Sequence, residues 1–599
     1  MKASDFSHHV LGICVLPHMK VKDPSRGEAF KMRRLLANWF IIVVSCALLA
    51  ACGGGVFSLT PRGGGSTSGA LSPAAGTITV TPSKLSLFTA GSAWVVVAEA
   101  GYTGEFTSAS KGARACPTNA PYVALWSPSR GKGPRLPVNV TAPYAKQNKA
   151  PASCAITFSD AKKHTATLSV TIERNTYKQL YRFQGGSNGA VPLRSGDLVE
   201  LHGMLYGTTF AGGDAEACPS RIFEYTPGCG TVFEVNPSTG AARVIYRFKS
   251  MPDGAVPWAG AAALNDKLYG TTWLGGKNHG CYNGAGCGTA FEVDPTTGKE
   301  RVIYAFGSIP DAQNPQAGMI AVNGVLYGTA GSGGNASGDG AVFKLTPSGS
   351  GFTESVLYAF KGSRDGLSPA AGLLAVNGML YGTTQAGGTA KCFKSSGCGT
   401  VFEVNMHTGA ERVLHRFNGI PDGESPTGSL IAVNGALYGT TQFGGSEKCP
   451  HYVGSFPPDA GCGTVFEVNP SSGTERVVYS FKGNQNRGGN PSDGAQPLAG
   501  LTALNGALYG TGSNGGAAHF GGIFKLTPLR SGYTESVLYN FEWSGGNHTG
   551  SDDGSLANAG LTDVKGTLFG ATITGGALKA CINPHHGDVG CGTVFAITP

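Results

Sequence analysis

A chain of 599 residues with a formal net charge of +8 and 94 glycines is long enough for several domains or one large repeat fold. Half of that charge lies in residues 1–51, which hold seven Lys/Arg against three Asp/Glu. No basic cluster or recognition helix follows, and nucleic acid is excluded as a sequence-read partner.

Arg33-Arg34 precede an apolar run, Leu35 to Ala51, that ends Leu49-Ala50-Ala51-Cys52. A basic start, a short apolar core and small residues before a cleavage point make a secretory signal, expected over 1–51. Met32 is the expected true start, because the stretch upstream carries charges and proline. This end resembles the lipobox of bacterial lipoproteins. The resemblance implies that Cys52 becomes the first mature residue and carries lipid. Gly53 rather than Asp follows it, which in such proteins implies the outer membrane. A transmembrane anchor is the alternative. Its 17 apolar residues are marginal for a bilayer of roughly 30 Å, and spanning has no use for the cysteine.

Residues 52–76 are rich in Gly, Ser and Thr and read as a flexible tether. From Thr77 the pattern changes to short apolar runs parted by turn residues. These are Thr77–Val80, Trp94–Val97, Tyr122–Trp126, Cys154–Phe158 and Thr167–Ile172. An immunoglobulin-like β-sandwich is expected over 77–173, with Cys116 bonded to Cys154. Nothing in it clusters chemically, which favours a spacer over an adhesion module.

Residues 174–599 repeat. Leu-Tyr-Gly-Thr starts at Leu205, Leu268, Leu326, Leu380, Leu437 and Leu508, and degrades to Leu568-Phe569-Gly570-Ala571. Each unit has four strand-like segments, a to d. In the fifth unit they are Ser429–Val433, Ala436–Thr441, Gly463–Val468 and Glu475–Phe481. The a–b turn is Asn-Gly at 323, 377, 434 and 505, with Asn265-Asp266, His202-Gly203 and Lys565-Gly566 as variants. Asn-Gly suits the positive φ of a type I′ hairpin. Seven such units and no helix pattern predict a seven-bladed β-propeller. The repeat region opens with a lone d-type strand, Tyr177–Phe183, and ends on a c-type strand, Gly592–Ile597. The N-terminal strand is therefore expected to complete the seventh blade and close the ring.

Between strands b and c lie Cys218 and Cys229, Cys281 and Cys287, Cys392 and Cys398, Cys449 and Cys462, and Cys581 and Cys591. The third and sixth units lack both members. Presence or absence in pairs is what disulfides predict. One pair per unit cannot assemble a four-sulfur metal site. Each bridge closes a short loop and is expected to contribute about 2–3 kcal/mol in an oxidising compartment.

Leu-Tyr-Gly-Thr-Thr, then Gly-Gly, then Gly-Cys-Gly-Thr-Val-Phe-Glu-Val resembles the Gloeo/Verruco-type repeat of the choice-of-anchor tandem repeat GloVer-containing proteins. The resemblance spans Tyr177 to Pro599. It implies an exported bacterial surface protein with one of several anchors, here a lipid. It implies no established activity, and no catalytic residues carry over.

Strand direction puts the d–a and b–c loops on one face, where loop lengths vary, and the stereotyped a–b and c–d turns on the other. Ligands are expected on the variable face. Each d–a loop carries an Asp-Gly signal (Asp253, Asp365, Asp422, Asp493, Asp553) or a variant at Asn188 or Asp311. A carboxylate ring suits Ca²⁺. The favoured reading is that Asp caps its own turn and Gly takes a positive φ. His279, His451, His519, His585 and His586 reach the same face and read as solvated loop residues. Trp258, Trp273, Tyr282, Phe443 and Tyr452 lie in or beside these loops, where aromatics suit stacking on sugars. The leading functional expectation is a lipid-anchored surface binding or scaffold protein for a glycan, peptide or protein. A monomer without cofactor, metal or catalytic residues is expected. A polysaccharide-acting propeller lyase or hydrolase and a purely structural envelope protein are the alternatives. No paired acid/base or nucleophile motif favours the enzyme.

Overall fold

The computed structural model describes residues 77–88, 92–109, 125–127, 130–141, 152–173, 176–193, 195–218, 227–349, 351–362, 364–392, 397–445, 449, 460–483, 493–515, 520–529, 532–541, 553–576, 581–583, 587–588 and 590–599. Cys52, Cys116, Tyr452, His451, His519, His585 and His586 lie outside them. The fold is all-β, and the described residues contain no α-helix.

Two sheets form in residues 79–173. One contains Ser92–Ala98, Arg135–Thr141 and Leu125–Ser127, with Thr79–Thr81 paired to the first. The other runs Lys84–Phe88, Thr165–Glu173, Ala152–Ser159, Glu105–Ala109, Arg130–Lys132. The first pair of this second sheet is parallel. Val95, Val138 and Val140 of one sheet and Phe106, Ile156, Phe158 and Leu168 of the other have no exposed surface and share one core. Cys154 is disulfide-bonded. Four strands of this region escape the sequence reading, among them Arg135–Thr141, whose Arg-Leu-Pro start hides its alternation.

In residues 178–597, seven antiparallel sheets share the a–b–c–d order. All seven a–b turns have positive φ at both central residues, including His202 (53°) and Lys565 (54°), as a type I′ hairpin requires. The last sheet has strands Thr562–Val564, Thr567–Thr572 and Thr593–Ile597. Its fourth member is the N-terminal strand Lys178–Arg182, with Lys178 opposite Ala596 and Arg182 opposite Thr593. Five disulfides join the cysteine pairs within the b–c loops, with Cα–Cα separations of 4.8–5.2 Å.

The repeated motif has a physical reason at each position. Its Leu is buried in every unit, as at Leu205, Leu268 and Leu437. Its Gly lies opposite the Phe of strand c, as Gly382 faces Phe402. A Cβ on Gly382 would fall 2.5 Å from the Phe402 ring, which is itself wholly buried. The first Thr reaches the next unit: Thr271 Oγ1 donates to the Ala317 carbonyl at 2.9 Å and Thr440 Oγ1 to that of Ala499 at 2.7 Å. The second Thr pairs with the first Thr of strand c, as Thr272 with Thr289 at 2.8 Å. In the degenerate last copy Ala571 stands in place of the first Thr.

Units three and six lack both the cysteines and the Thr–Thr pair, and they carry longer c–d hairpins. Ala341–Ser348 pairs with Gly351–Ala359, and Gly522–Leu529 with Gly532–Asn540. Their extensions fold against the preceding unit, Phe352 on Tyr269 and Tyr533 on Tyr438. The outer strand of unit six also pairs with the first-region sheet, Ser92 opposite Val537 and Ala93 opposite Ser536. No sequence signal announces that junction.

Neighbouring sheets are joined by a left-handed residue in each d–a loop. Val191, Val256, Asn314, Ser368, Ser425, Gln496 and Leu556 have φ between 51° and 60°. For β-branched valines this is a strained conformation. Their amides explain why it persists. Val256 N–H donates to the Cys229 carbonyl and Gln496 N–H to that of Cys462, both at 2.8 Å, while the Val256 carbonyl accepts from Trp273 N–H at 3.0 Å. One residue thus satisfies backbone groups of two adjacent sheets.

Candidate functional site

The segments entering the first six a strands line a cavity of about 250 Å³, among them Ser195, Asp197, Gly260, Gly318, Gly372 and Ser429. Counted from the a–b turn, one register position is Gly260, Gly318, Gly372, Gly500 and Gly560 in five units, Ser429 in the fifth and Asp197 in the first. Close approach explains the glycines. A Cβ on Gly260 would fall 2.2 Å from the Asp197 carbonyl oxygen, and one on Gly500 2.6 Å from that of Ser429. The first and last units meet here, Thr562 Oγ1 donating to the Leu198 carbonyl at 2.6 Å. Asp197 is reached by water yet ringed by protein. Desolvation raises its pKa to about 6, opposed in part by the Gly560 N–H.

Two residues before the Gly/Asp/Ser position, at the loop-side mouth, the second unit carries Trp258. It begins an aromatic ladder. Phe210 and Trp258 have centroids 5.3 Å apart, Trp258 and Trp273 5.3 Å, and Trp273 and Tyr282 4.5 Å. The tryptophans are half-buried, and Tyr282 is 48% exposed. Tyr282 and Asn283 adopt positive φ, 40° and 55°, inside the short loop closed by Cys281–Cys287, six positions apart. Strain held by a covalent loop is a feature of sites where a side chain must be presented. Asn314 Nδ2 donates to the Trp273 carbonyl at 2.9 Å and fixes its backbone.

The structure therefore brings together three of the five aromatics singled out from sequence. It adds Phe210, which occupies the same register position after Leu-Tyr-Gly-Thr-Thr as Trp273; that alignment is the signal that would have found it. Phe443 is 5% exposed and pads the base of its own loop, so it offers a ligand no surface. His279 is exposed.

The d–a aspartates cap their turns. Asp253 Oδ2 accepts from Lys249 N–H at 2.9 Å, Asp365 Oδ2 from Lys361 N–H at 2.8 Å and Asp493 Oδ2 from Lys482 N–H at 3.0 Å. The expected positive φ of the following glycine is found at Gly189 (84°), Gly366 (142°) and Gly554 (119°) but not in the other Asp-Gly loops. Gly254, Gly423 and Gly494 have no positive φ; the left-handed residue comes two positions later. Gly254 and Gly423 instead make room for a Thr–Thr pair, since a Cβ on Gly423 would fall 2.4 Å from Thr441 Cγ2.

Each of these aspartates also meets the next unit. Tyr246, Tyr304, Tyr358 and Tyr479 donate their hydroxyls to Asp253, Asp311, Asp365 and Asp493 at 2.7–2.9 Å. Beside each pair lies the first glutamate of the next d strand, Glu300, Glu354, Glu411 or Glu535. Desolvation first, then repulsion from the aspartate, raises the glutamate pKa to about 7 at Glu300 and Glu411, to about 8 at Glu354 and well above the usual range at Glu535.

These features define an all-β protein of tandem four-stranded repeats with a braced loop face. The chain belongs to the Gloeobacter/Verrucomicrobia repeat family, whose model matches residues 282–492 and 397–583. No curated protein matches it. Among solved structures, it is similar to TolB from Acinetobacter baumannii at 11% identity, covering 66% of this chain and 78% of that one, with a TM-score of 0.30. An oligogalacturonate lyase from Vibrio parahaemolyticus matches at 11% identity over 75% and 94% of the two chains, TM-score 0.29. The Trypanosoma rangeli sialidase in complex with the inhibitor DANA matches at 10% over 61% and 59%, TM-score 0.33. Likenesses this distant assign no activity.

Proposed function

We propose that the chain is an exported binding protein. In this reading its seven sheets close as the blades of one propeller behind an immunoglobulin-like spacer, and its loop face holds carbohydrate beside the central cavity. The observation that carries the binding role is the ladder Phe210–Trp258–Trp273–Tyr282, which rises from a buried ring to an exposed one. Flat apolar ring faces suit the C–H faces of sugars. A disulfide-braced, strained loop loses little ordering entropy when a ligand arrives. The cavity is walled by glycine backbone and by aliphatic and small polar side chains and, among the described residues, carries no aromatic ring, so stacking on a sugar belongs to the mouth. Support for a closed ring comes from the shared sheet of Lys178–Arg182 and Thr593–Ile597 and from the Thr562–Leu198 bond. Five disulfides suit an oxidising compartment.

A glycan array followed by titration of the best ligand tests the binding role. Trp273→Ala and Tyr282→Ala are expected to weaken binding about tenfold or more, a loss of about 1.4 kcal/mol. Ser238→Ala, in a c–d turn on the opposite face, is expected to leave it unchanged. Normal binding by both aromatic variants sinks the assignment.

The Cys52 lipid anchor belongs to the same proposal, on the strength of the signal and lipobox sequence. Mass spectrometry of membrane-extracted protein is expected to find Cys52 as the lipidated first residue. An N-terminal peptide starting upstream of Leu49 contradicts it.

A further inference from the structure

Five successive sheet junctions set a buried or partly buried aspartate beside the first glutamate of the next d strand, and at four of them a tyrosine donates to the aspartate. The junction of units four and five differs. His415 takes the tyrosine position, with Nε2 3.1 Å from Asp422 Oδ2 and 4.0 Å from Glu475 Oε2. The three side chains are 17%, 15% and 10% exposed.

We infer that His415, Asp422 and Glu475 form a divalent transition-metal site, with zinc the fitting ion. A phenol keeps its proton at neutral pH and spends it on the aspartate, so the tyrosine junctions offer no third ligand. A neutral imidazole offers a lone pair at Nε2. The available ligand atoms of the three residues lie within 4.8 Å of one another. Around a tetrahedral zinc, with bonds of about 2.0–2.2 Å, ligand atoms stand ~3.3 Å apart. The observed 3.1 and 4.0 Å bracket that value, so small rotamer adjustments suffice. One nitrogen and two carboxylates favour zinc over calcium, which prefers six to eight oxygens.

Unsatisfied groups point the same way. Among the described residues, Asp422 Oδ1 and Glu475 Oε1 are buried without a hydrogen-bond donor, as is a glutamate oxygen at each of the four sister junctions. Glu475, nine-tenths buried, has its other oxygen 4.0 Å from His415, beyond hydrogen-bond reach. At two sister junctions the tyrosine also hydrogen-bonds the glutamate, Tyr246 to Glu300 and Tyr358 to Glu411. A dication cancels both charges at once where burial makes them costly. The residual exposure leaves a path for the ion and for a water as fourth ligand. A second cluster, Glu99, Asp160 and His164, is less suited. There His164 closes a tight turn onto Asp160 through its amide at 2.8 Å and its ring at 2.7 Å.

The test uses the full exported chain stripped with a chelator. Zinc is titrated calorimetrically, and cobalt is added as a visible-absorption probe. Wild type is expected to bind one equivalent more than His415→Tyr, at micromolar affinity or better. That variant restores the residue found at four sister junctions, so its melting curve without metal should match wild type. Glu475→Gln, which removes a buried charge, is expected to weaken this equivalent about tenfold or more. Exposed histidines such as His279 contribute equally to all variants and cancel. Equal stoichiometry and affinity in wild type and His415→Tyr, or no zinc uptake by wild type at tens of micromolar, overturns the site.

Discussion

Deleting residues 176–183 is expected to give an aggregating species that melts at least ~10 °C lower than the full chain. The deletion removes every ladder bond from Lys178–Arg182 to Thr593–Ile597 and leaves that strand as an open edge. It also takes away Phe183, which has no exposed surface and packs edge-on against Phe233 at 5.0 Å. Tyr177 goes with it, and it stacks on Tyr539 at 3.9 Å and joins Asp553 through its hydroxyl at 2.6 Å. Losing one fully buried Phe alone costs about 3–5 kcal/mol. Size-exclusion chromatography and a thermal melt decide the matter. A truncated chain that elutes as the full chain does, with an unchanged melting point, would show that the seventh sheet does not depend on its borrowed strand.

Stability should also fall as pH rises from 5 to 9, by about 5 °C in melting temperature for a chain of this size. Glu300, Glu354 and Glu411 titrate near 7, 8 and 7 in the folded protein, against the ordinary 4.5. A raised folded pKa means that the folded state holds protons the unfolded state has released. Their stabilising effect is therefore complete below pH 4.5 and is lost as pH passes through 7–8. Glu535, also raised, acts in the same direction. Glu354→Gln is expected to raise the melting point at pH 8.5 and to leave it nearly unchanged at pH 5. A flat or rising profile between pH 5 and 9 would mean that the carboxyl pairs are hydrated well enough to ionise freely.

How far the sequence could be read depends on the range of the cause. Asn-Gly turns, the Leu-Tyr-Gly-Thr core and the cysteine pairs are local, and each states its backbone requirement within a few residues. The borrowed strand was legible because Tyr177–Phe183 repeats the d pattern out of place. The junction acids were not. Asp311 and Glu354 lie 43 positions apart in different units, and only the packing of adjacent sheets brings them together. The left-handed residues were invisible for another reason. Val, Asn, Ser, Gln and Leu share no turn chemistry, and what they share is a pair of backbone bonds across a sheet boundary. The aromatic ladder falls between these cases. Its exposed end could be guessed from loop composition, whereas Phe443 looked alike in sequence and proved to be buried.

The pairing of Lys178–Arg182 with Thr593–Ile597 sets an order of events during synthesis. The early strand emerges some four hundred residues before its partner, and among the described residues it alone pairs with the outer side of Thr593–Ile597. Six sheets can form while the chain is still being made; the seventh cannot. Folding is therefore gated by the last stretch to appear, as expected when a contact of high sequence separation must close. Until then the early strand and the first sheet beside it need shelter from other chains. A chain released short of residue 593 can never complete the seventh sheet. It keeps an unpaired strand exposed, which marks it for removal by any quality control that recognises open edges.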